Sequence, residues 1–231
     1  MENEIHPTAI LEGQVELGEG NKIGPYSHII GPVTIGNFNR IHSHAVIGST
    51  PEVKNFDSQA VGVVIGDSCT IREAAQIHSG SKHRTSIGSR SFIMNQVYIA
   101  HDGVIGEDVT IASSALLAGG VTVGHFANIG MGTTVHQGRT IGALAMIGMG
   151  SVVTRDVPPA MMAFGNPSRI RRINEVGLQR FGFDKEIVES LTKSFVKDGF
   201  AGIEEIIEKI QPWDAKSKSL IHSLRHIQGD S

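Results

Sequence analysis

The chain has 231 residues and a formal net charge of −3, so it is long enough for a sizeable core and lacks the basic excess of a nucleic-acid-binding protein. Aromatic residues make up only 5% of the sequence, and its one cysteine, Cys69, cannot form an intrachain disulfide. The N-terminal residues resemble no signal peptide and no apolar run approaches ~18 residues, so we expect a cytoplasmic protein without a transmembrane segment or a nucleic-acid partner.

An aliphatic residue recurs at every sixth position through most of the chain. This period matches neither an α-helix, at about 3.6 residues per turn, nor a simple amphipathic strand, at about two. It is typical of hexapeptide repeats, in which a short strand and a tight corner together form one side of a parallel β-helix coil. Many of the 28 glycines directly follow a repeat position, where a corner is expected. The repeat positions are Ile5, Leu11, Leu17, Ile23, Ile29, Ile35, Ile41, Ile47, Ile65, Ile71, Ile77, Ile87, Ile93, Ile99, Ile105, Ile111, Leu117, Val123, Ile129, Val135, Ile141, Ile147 and Val153.

These repeats predict a solenoid domain over residues 1–157. If three hexads form one triangular coil of about 18 residues, the repeats amount to about seven to eight coils. Two interruptions break the rhythm, at residues 48–64 and 78–86, and the second shifts the following repeats. Insertions in a solenoid leave it as loops that often line the functional face, although a tolerated surface excursion is the alternative.

The remaining residues, 158–231, are predicted to form a linker and a C-terminal helical domain. Asn174 is a candidate N-cap for a short helix, and Asp184 for a longer helix after it. Two more helices are predicted, at residues 201–211 and from Pro212 onward. We expect the helices to cover the open end of the solenoid, which otherwise presents unpaired strand edges.

One corner of the solenoid combines residues that suit acyl transfer. His101 lies two residues after the repeat aliphatic Ile99, so its imidazole should project outward at a corner, where the adjacent carboxylate of Asp102 is able to orient it. Gly119 lies 18 residues later, and stacking of coils would bring its backbone N–H beside His101. A general base beside an exposed N–H donor is the minimum apparatus for acyl transfer to a hydroxyl or an amine. The alternative is that His101 is an ordinary polar corner residue.

Several segments, in their order and spacing, resemble the UDP-N-acetylglucosamine O-acyltransferases, which begin lipid A biosynthesis. The similarity extends from His6 to about residue 190. It implies an all-β solenoid plus α-helices, with a left-handed parallel β-helix that is an exception to the usual crossover handedness. It also implies a homotrimer with sites in the clefts between neighbouring subunits. The segments are Ile99–Asp102, Leu117–Val121, Val135–Gln137, Asp156–Pro159, Gly165–Asn166 and Gly177–Phe183.

The resemblance also implies roles for individual residues. His101 corresponds to the general base, Asp102 to the group that orients it, and the N–H of Gly119 to the oxyanion donor. The reaction implied is transfer of a 3-hydroxyacyl or related acyl group from acyl-carrier protein, where it is held on phosphopantetheine, to the sugar 3-position of UDP-N-acetylglucosamine or a related UDP-sugar. No tightly bound cofactor and no metal are implied. The residues implied in substrate binding are His78, His136, Gln137, Asn174, Arg180, Lys54, Glu52 and Tyr98.

The sequence departs from the family pattern at positions that contact the acceptor. Tyr98 and Gly120 stand where these enzymes commonly have histidine, Val176 replaces an acidic residue, and Phe181 replaces an arginine. These changes indicate a different UDP- or dTDP-linked sugar, such as an amino sugar acylated on nitrogen. Met149 matches a position that can form the floor of the acyl groove, so we expect it to favour short or medium acyl chains; ordinary solenoid packing is the alternative.

Two other functions remain open at this point. The first is an acyl-CoA-dependent N-acyltransferase acting on a UDP- or dTDP-linked amino sugar, for which the basic segment Gly165–Arg172 resembles coenzyme-phosphate contacts. The second is a non-enzymatic scaffold similar to the γ-carbonic anhydrases, which bind zinc through three histidines at a trimer seam. His101, His125 and His136 lack the motif context of that family, so metal catalysis is disfavoured.

Overall fold

The computed structural model describes residues 1–56 and 59–198, which form a parallel β-helix followed by a short helical segment. Each coil contributes one short strand to each of three sheets, and strands of successive coils pair in parallel. The first sheet contains β1 (Glu4–Ile5), β4 (Lys22–Ile23), β7 (Arg40–Ile41), β10 (Thr70–Ile71), β13 (Phe92–Ile93), β16 (Thr110–Ile111), β19 (Asn128–Ile129), β22 (Met146–Ile147), β24 (Met161–Gly165) and β25 (Ser168–Ile173). The second contains β2 (Ile10–Glu12), β5 (His28–Ile30), β8 (Val46–Ser49), β11 (Gln76–His78), β14 (Tyr98–Ile99), β17 (Leu116–Leu117), β20 (Thr134–Val135) and β23 (Val152–Val153). The third contains β3 (Val15–Leu17), β6 (Val33–Ile35), β9 (Val63–Ile65), β12 (Thr85–Ile87), β15 (Val104–Ile105), β18 (Thr122–Val123) and β21 (Thr140–Ile141).

The repeat aliphatics form the core of this solenoid, as the six-residue period predicts. Ile29, Ile71 and Ile111 are fully buried, and each stands in register with the aliphatic residue of the neighbouring coil. Ile5 and Leu11 are 43% and 37% exposed, because they belong to the first coil and have a neighbour on one side only. Burial therefore depends on stacking between coils and not on contacts within one coil.

Both interruptions in the repeat leave the solenoid as loops, and the strands that follow them keep the register of their sheet. Residues 50–62 connect β8 to β9, and residues 79–84 connect β11 to β12. After each loop the chain returns to the same sheet position, so that Val64 pairs with Thr34 and Ile87 pairs with Ile65. The stacked corners beyond the loops are consequently aligned at a constant interval of one coil.

The segment that joins the solenoid to the helices is a β-hairpin and not the linker that the sequence suggested. Strand β24 continues the first sheet in parallel with β22, and β25 then pairs with β24 in the antiparallel direction. Strand β25 is thus the last strand of the first sheet. We expected a helix to cover the open end of this sheet, and the hairpin extends the sheet there instead. The hexapeptide period ends before this segment, which explains why periodicity did not reveal it.

Two helices follow the hairpin, at Glu175–Phe181 (α1) and Lys185–Asp198 (α2). The predicted N-cap is confirmed, because the Asn174 side chain accepts a hydrogen bond from the backbone N–H of Gly177 at 3.1 Å. Helix α1 packs against a corner of the solenoid through Phe181, whose ring lies edge-on to Phe126 at 4.8 Å.

The helices predicted at residues 201–211 and beyond Pro212 lie outside the described residues. Within the described part of the chain, no helix is both long and apolar enough to cross a membrane.

A ladder of buried asparagines supports one corner of the first coils. The side-chain oxygen of Asn21 accepts the backbone N–H of Asn39 at 2.9 Å, and the oxygen of Asn39 accepts the N–H of Cys69 at 2.8 Å. Both asparagines are fully buried, and each link satisfies a backbone donor that the short strands leave unpaired. Burial also raises the pKa of the Cys69 thiol, so this cysteine packs as a neutral side chain.

Replacing an inward-facing repeat residue should destabilise the solenoid far more than replacing its outward-facing neighbour. Ile105 is 3% exposed and Val104, beside it on β15, is 38% exposed. We expect Ile105→Ala to lower the free energy of unfolding by about 2–5 kcal/mol, because it leaves a cavity between stacked coils, and Val104→Ala to lower it by less than about 1 kcal/mol. Chemical denaturation followed by circular dichroism measures both; equal losses would contradict the inward stacking.

Candidate active site

The candidate site lies at the corner that follows the second sheet. Strands β14 and β17 are neighbours with Ile99 opposite Leu117, so the turn residues His101 and Gly119 are stacked one coil apart. A Cβ atom placed on Gly119 would lie 2.5 Å from both Cε1 and Nε2 of His101. Only glycine fits beneath the imidazole. The close approach of Gly119 to His101 that the 18-residue spacing predicts is thus present within a single chain.

The carboxylate of Asp102 accepts an unusual number of hydrogen bonds. Its Oδ1 accepts the backbone N–H groups of Ser81, Lys82 and His83 at 2.9, 2.8 and 3.1 Å. Its Oδ2 accepts the Ser81 hydroxyl at 2.6 Å and lies 2.8 Å from Nδ1 of His101. Burial favours the neutral acid, but these hydrogen bonds outweigh it and hold the pKa of Asp102 well below its usual range. Asp102 is therefore ionised at neutral pH.

The ionised carboxylate determines which nitrogen of His101 carries the proton. Since Oδ2 of Asp102 is an acceptor only, Nδ1 of His101 donates to it, and Nε2 of the neutral ring is left as the basic atom. Among the described residues, Nε2 of His101 and the backbone N–H of Gly119 form no hydrogen bond. The imidazole side chain is 17% exposed, so the basic atom is partly sheltered yet accessible.

A second group of predicted residues lies on the same sheet, with Tyr98 one coil and His78 two coils before Gly119. His78 is only 7% exposed, and its Nδ1 donates to the carbonyl of Thr50 at 3.0 Å. Its ring is 5.1 Å from the ring of Tyr98, whose hydroxyl donates to the carboxylate of Glu52. Burial, reinforced by the hydrogen bond and charge of Glu52, raises the pKa of Tyr98. The 50–62 loop is thus attached to the sheet that carries the candidate base.

The other predicted substrate-binding residues are more widely spread. Gln137 follows the next strand of the second sheet, one coil beyond Gly119, and His136 beside it donates through Nδ1 to the Gln137 carbonyl at 3.2 Å. Both side chains are exposed. Lys54 is exposed in the 50–62 loop, and Arg180 is exposed in the last turn of α1, where neither forms an ion pair with another described residue.

Asn174 differs from these, because both ends of its side chain already have internal partners. Its oxygen caps α1, and its Nδ2 donates to the carbonyl of Leu144 at 2.8 Å. The side chain is 7% exposed. Its clear role is to fasten the first helix to the solenoid, and contact with a nucleotide, which the resemblance implied, would require these bonds to be shared or broken.

Met149 lies at the corner that precedes the second sheet and is 75% exposed. Met131 occupies the same corner one coil earlier, where its carbonyl accepts the N–H of Gly150 at 2.8 Å, and it is 51% exposed. Leu116, outward on β17, is 46% exposed. Large, exposed apolar side chains therefore lie on or beside the second sheet, and His101 lies at the corner on the opposite edge of that sheet.

The structure also contains a groove of about 630 Å³ that is remote from these residues. It lies on the first coils and is lined by residues including Glu4, His6, Lys22, Arg40 and His42, none of which belongs to the predicted site. This groove contains none of the paired groups at His101, where a candidate base lies beside a backbone N–H donor. In residues 1–56 and 59–198, no group of three or more His, Cys, Asp or Glu side chains is arranged to hold a metal ion.

Sequence reasoning missed the residues that hold Asp102. Ser81, Lys82 and His83 belong to the 79–84 loop, and no motif marks them as functional. The available signal was the displaced repeat itself, which indicated that an inserted loop lies at this edge of the solenoid.

Comparison with known proteins identifies the family. Residues 14–49 match the model of the bacterial transferase hexapeptide, and residues 156–229 match domain 2 of UDP-N-acetylglucosamine O-acyltransferase. A relative from Thermodesulfovibrio yellowstonii, named acyl-(acyl-carrier-protein)–UDP-N-acetylglucosamine O-acyltransferase, is 44% identical over 178 residues, which are 74% of this chain and 69% of the relative. A Campylobacter concisus protein of the same name is 36% identical over 138 residues, which are 58% of this chain and 52% of that protein. The matched region thus spans about half the length of some of these relatives.

Solved structures give the same result over nearly the whole chain. The UDP-N-acetylglucosamine acyltransferase from Campylobacter jejuni has a TM-score of 0.78 and 31% sequence identity, with 95% of each chain covered. The UDP-N-acetylglucosamine O-acyltransferase from Moraxella catarrhalis has a TM-score of 0.79 and 28% identity, with 96% of each chain covered. The chain belongs to the UDP-N-acetylglucosamine O-acyltransferase family.

Proposed function

We propose that this chain transfers an acyl group from acyl-carrier protein to the sugar 3-position of UDP-N-acetylglucosamine or a closely related UDP-sugar, with His101 as the general base. The observation that carries the proposal is one assembly: an ionised Asp102 on Nδ1 of His101, a free Nε2, and Gly119 packed against that nitrogen. The names of the relatives support the donor and the acceptor, since they specify acyl-carrier protein and UDP-N-acetylglucosamine.

The proposed reaction has two steps. Nε2 of His101 removes the proton of the sugar hydroxyl while its oxygen attacks the thioester carbonyl, which forms a C–O bond and places negative charge on the former carbonyl oxygen. The N–H of Gly119 donates to that oxyanion, and Asp102 stabilises the imidazolium. The intermediate then collapses, the C–S bond breaks, and the proton on Nε2 passes to the departing thiolate. An amine acceptor would follow the same course through a C–N bond.

A complete site requires a second surface, for which we propose a neighbouring copy in a homotrimer. His101 and the exposed side chains of His136 and Gln137 lie on the outside of one solenoid, away from the groove on the first coils. Another prism laid against this corner would exclude water from the thioester. The exposed Leu116 and Met149 supply apolar area for such a contact or for the acyl chain.

The donor side of the proposal is supported by the arginines of β25. Arg169, Arg171 and Arg172 are exposed, and none forms an ion pair with another described residue; Arg171 instead lies over the ring of Phe164 at 5.3 Å. Guanidinium groups without anionic partners suit the phosphate of phosphopantetheine or an acidic carrier surface. They would equally suit the phosphates of acyl-CoA, so turnover of matched acyl-ACP and acyl-CoA distinguishes the proposed donor from this alternative.

The residues proposed to bind the acceptor sugar include Tyr98, which stands where the family commonly has histidine. The Tyr98 hydroxyl donates to Glu52, and its ring lies beside that of the buried His78. A tyrosine in place of histidine alters the hydrogen-bonding groups offered to the sugar, so turnover of UDP-N-acetylglucosamine and of its 3-amino analogue should be compared directly. Preference for the amino sugar would assign N-acylation to the same base.

Removing the proposed base should abolish most of the activity. We expect His101→Ala to lower kcat by about 10²- to 10⁴-fold, because general-base catalysis contributes on that scale. His125→Ala is a suitable control, since the Nδ1 of His125 accepts the backbone N–H of Glu107 at another corner. Steady-state turnover of acyl-ACP and UDP-N-acetylglucosamine measures both variants, and a near-normal rate for His101→Ala would remove the mechanism.

The Tyr98–Glu52 pair should be visible in a tyrosine titration. Since the chain contains two tyrosines, Tyr26→Phe leaves Tyr98 as the sole phenol. In that background, Glu52→Gln should lower the pKa of Tyr98, because it removes the negative charge that disfavours tyrosinate, while burial still keeps the pKa above its usual value. Tyrosinate absorbance against pH gives the result; an unchanged midpoint would show that Glu52 does not act on this hydroxyl.

The length of the accepted acyl chain tests the role proposed for Met149. If its side chain forms the floor of the acyl groove, the unmodified chain should prefer short or medium donors, and Met149→Ala should raise the relative kcat/KM for tetradecanoyl donors. Met131→Ala, one coil earlier at the same corner, is the matched control and should change the preference less. If the wild-type protein prefers tetradecanoyl or longer donors, Met149 does not form the floor of the acyl groove.

A further inference from the structure

Among residues 1–56 and 59–198, Ser81 is the one whose hydrogen bonds reach both oxygens of the Asp102 carboxylate. Its backbone N–H donates to Oδ1 at 2.9 Å and its hydroxyl donates to Oδ2 at 2.6 Å. Oδ2 is also the atom that accepts Nδ1–H of His101. The Ser81 hydroxyl therefore restrains the acceptor atom that orients the base, and its oxygen lies 3.5 Å from the imidazole Nδ1 itself.

The backbone of the 79–84 loop is shaped to deliver these donors. A Cβ atom on Gly80 would lie 1.6 Å from the carbonyl oxygen of His83, so this tight turn admits only glycine there. The turn directs three consecutive N–H groups, from residues 81–83, at one carboxylate oxygen. Such a concave run of amides binds an anion, and here the anion is the side chain of Asp102.

The same loop is fastened to the loop of residues 50–62. The N–H of Gly62 donates to the Ser79 hydroxyl at 2.8 Å, and the carbonyl of Gly62 accepts the N–H of Gly80 at 3.1 Å. The 50–62 loop is in turn attached to the second sheet by Glu52 and Tyr98. The two residues that precede Ser81 are therefore fixed to the neighbouring loop, which limits the movement of its hydroxyl relative to Asp102.

We propose that Ser81 is a positioning residue for the acyl transfer, acting through Asp102 to hold the His101 ring with Nε2 aimed at the acceptor. The inference rests on the proposed function. Without the hydroxyl, Oδ1 remains held by backbone amides while Oδ2 is free to pivot about it, and the imidazole loses its fixed orientation. Proton transfer is sensitive to such displacement, because small errors in alignment cost large factors in rate.

The test is the kinetics of Ser81→Ala with acyl-ACP and UDP-N-acetylglucosamine. We expect kcat to fall about tenfold, on the scale of a lost hydrogen bond to a charged group, with KM changed less than about twofold, since Ser81 is proposed to touch no substrate. Ser81→Thr keeps the hydroxyl and should restore most of kcat. Ser86→Ala is the matched control, because the Ser86 hydroxyl has no hydrogen-bond partner among the described residues.

A double-mutant cycle with Asp102→Asn separates positioning through Asp102 from a general effect on the loop. Asp102 has φ of 60°, a conformation that asparagine also tolerates, so this variant preserves the backbone. In the Asp102→Asn background, Ser81→Ala should lower kcat by less than about twofold, because its target is already altered. A full tenfold loss in both backgrounds would overturn the inference.

Other results bear on it equally clearly. Wild-type kcat in Ser81→Ala, with His101→Ala inactive, overturns the role of Ser81 and leaves the proposed function intact. Near-normal kcat in His101→Ala, or no turnover by the unmodified chain, overturns the proposed function and this inference with it. If Ser81→Ala does not fold, Ser81→Cys carries the same comparison, because it keeps the size of the side chain but offers a much weaker donor.

Discussion

The stacking of inward aliphatic residues at a constant interval of one coil is the constraint on which the rest of the structure depends. Each repeat residue is buried by its counterpart in the next coil, as Ile99 is by Leu117, and this contact aligns the corners that follow. His101 and Gly119 are neighbours for that reason alone. A shift of one residue in either coil would turn core residues outward and separate His101 from the backbone N–H of Gly119.

The candidate site is built where this regularity is interrupted. The coils supply the rigid corner, while the loop of residues 79–84 supplies the amides and the hydroxyl that keep Asp102 ionised. In the regular coils most backbone donors pair with the next coil, whereas this loop directs three consecutive N–H groups at one carboxylate oxygen. The coils thus fix the position of His101, and the inserted residues hold the ionised carboxylate that accepts the hydrogen bond from its Nδ1.

The sequence predicted those parts of the molecule that repeat and missed those that do not. Periodicity revealed the solenoid and both loops, and spacing alone brought His101 beside Gly119. Local capping chemistry likewise located α1 after Asn174. The hairpin of β24 and β25 escaped because the period had ended, and the contacts of Ser81 escaped because they depend on how a loop folds back, which neither spacing nor composition encodes.

The central claim is that this corner presents the base to the acceptor sugar, and a crystal structure with UDP-N-acetylglucosamine bound tests it most directly. The account predicts that the sugar 3-oxygen lies within about 2.6–3.2 Å of Nε2 of His101, near the N–H of Gly119, with a neighbouring copy closing the cleft. A sugar bound away from His101, or an imidazole that faces open solvent with no second chain opposite it, would contradict the account.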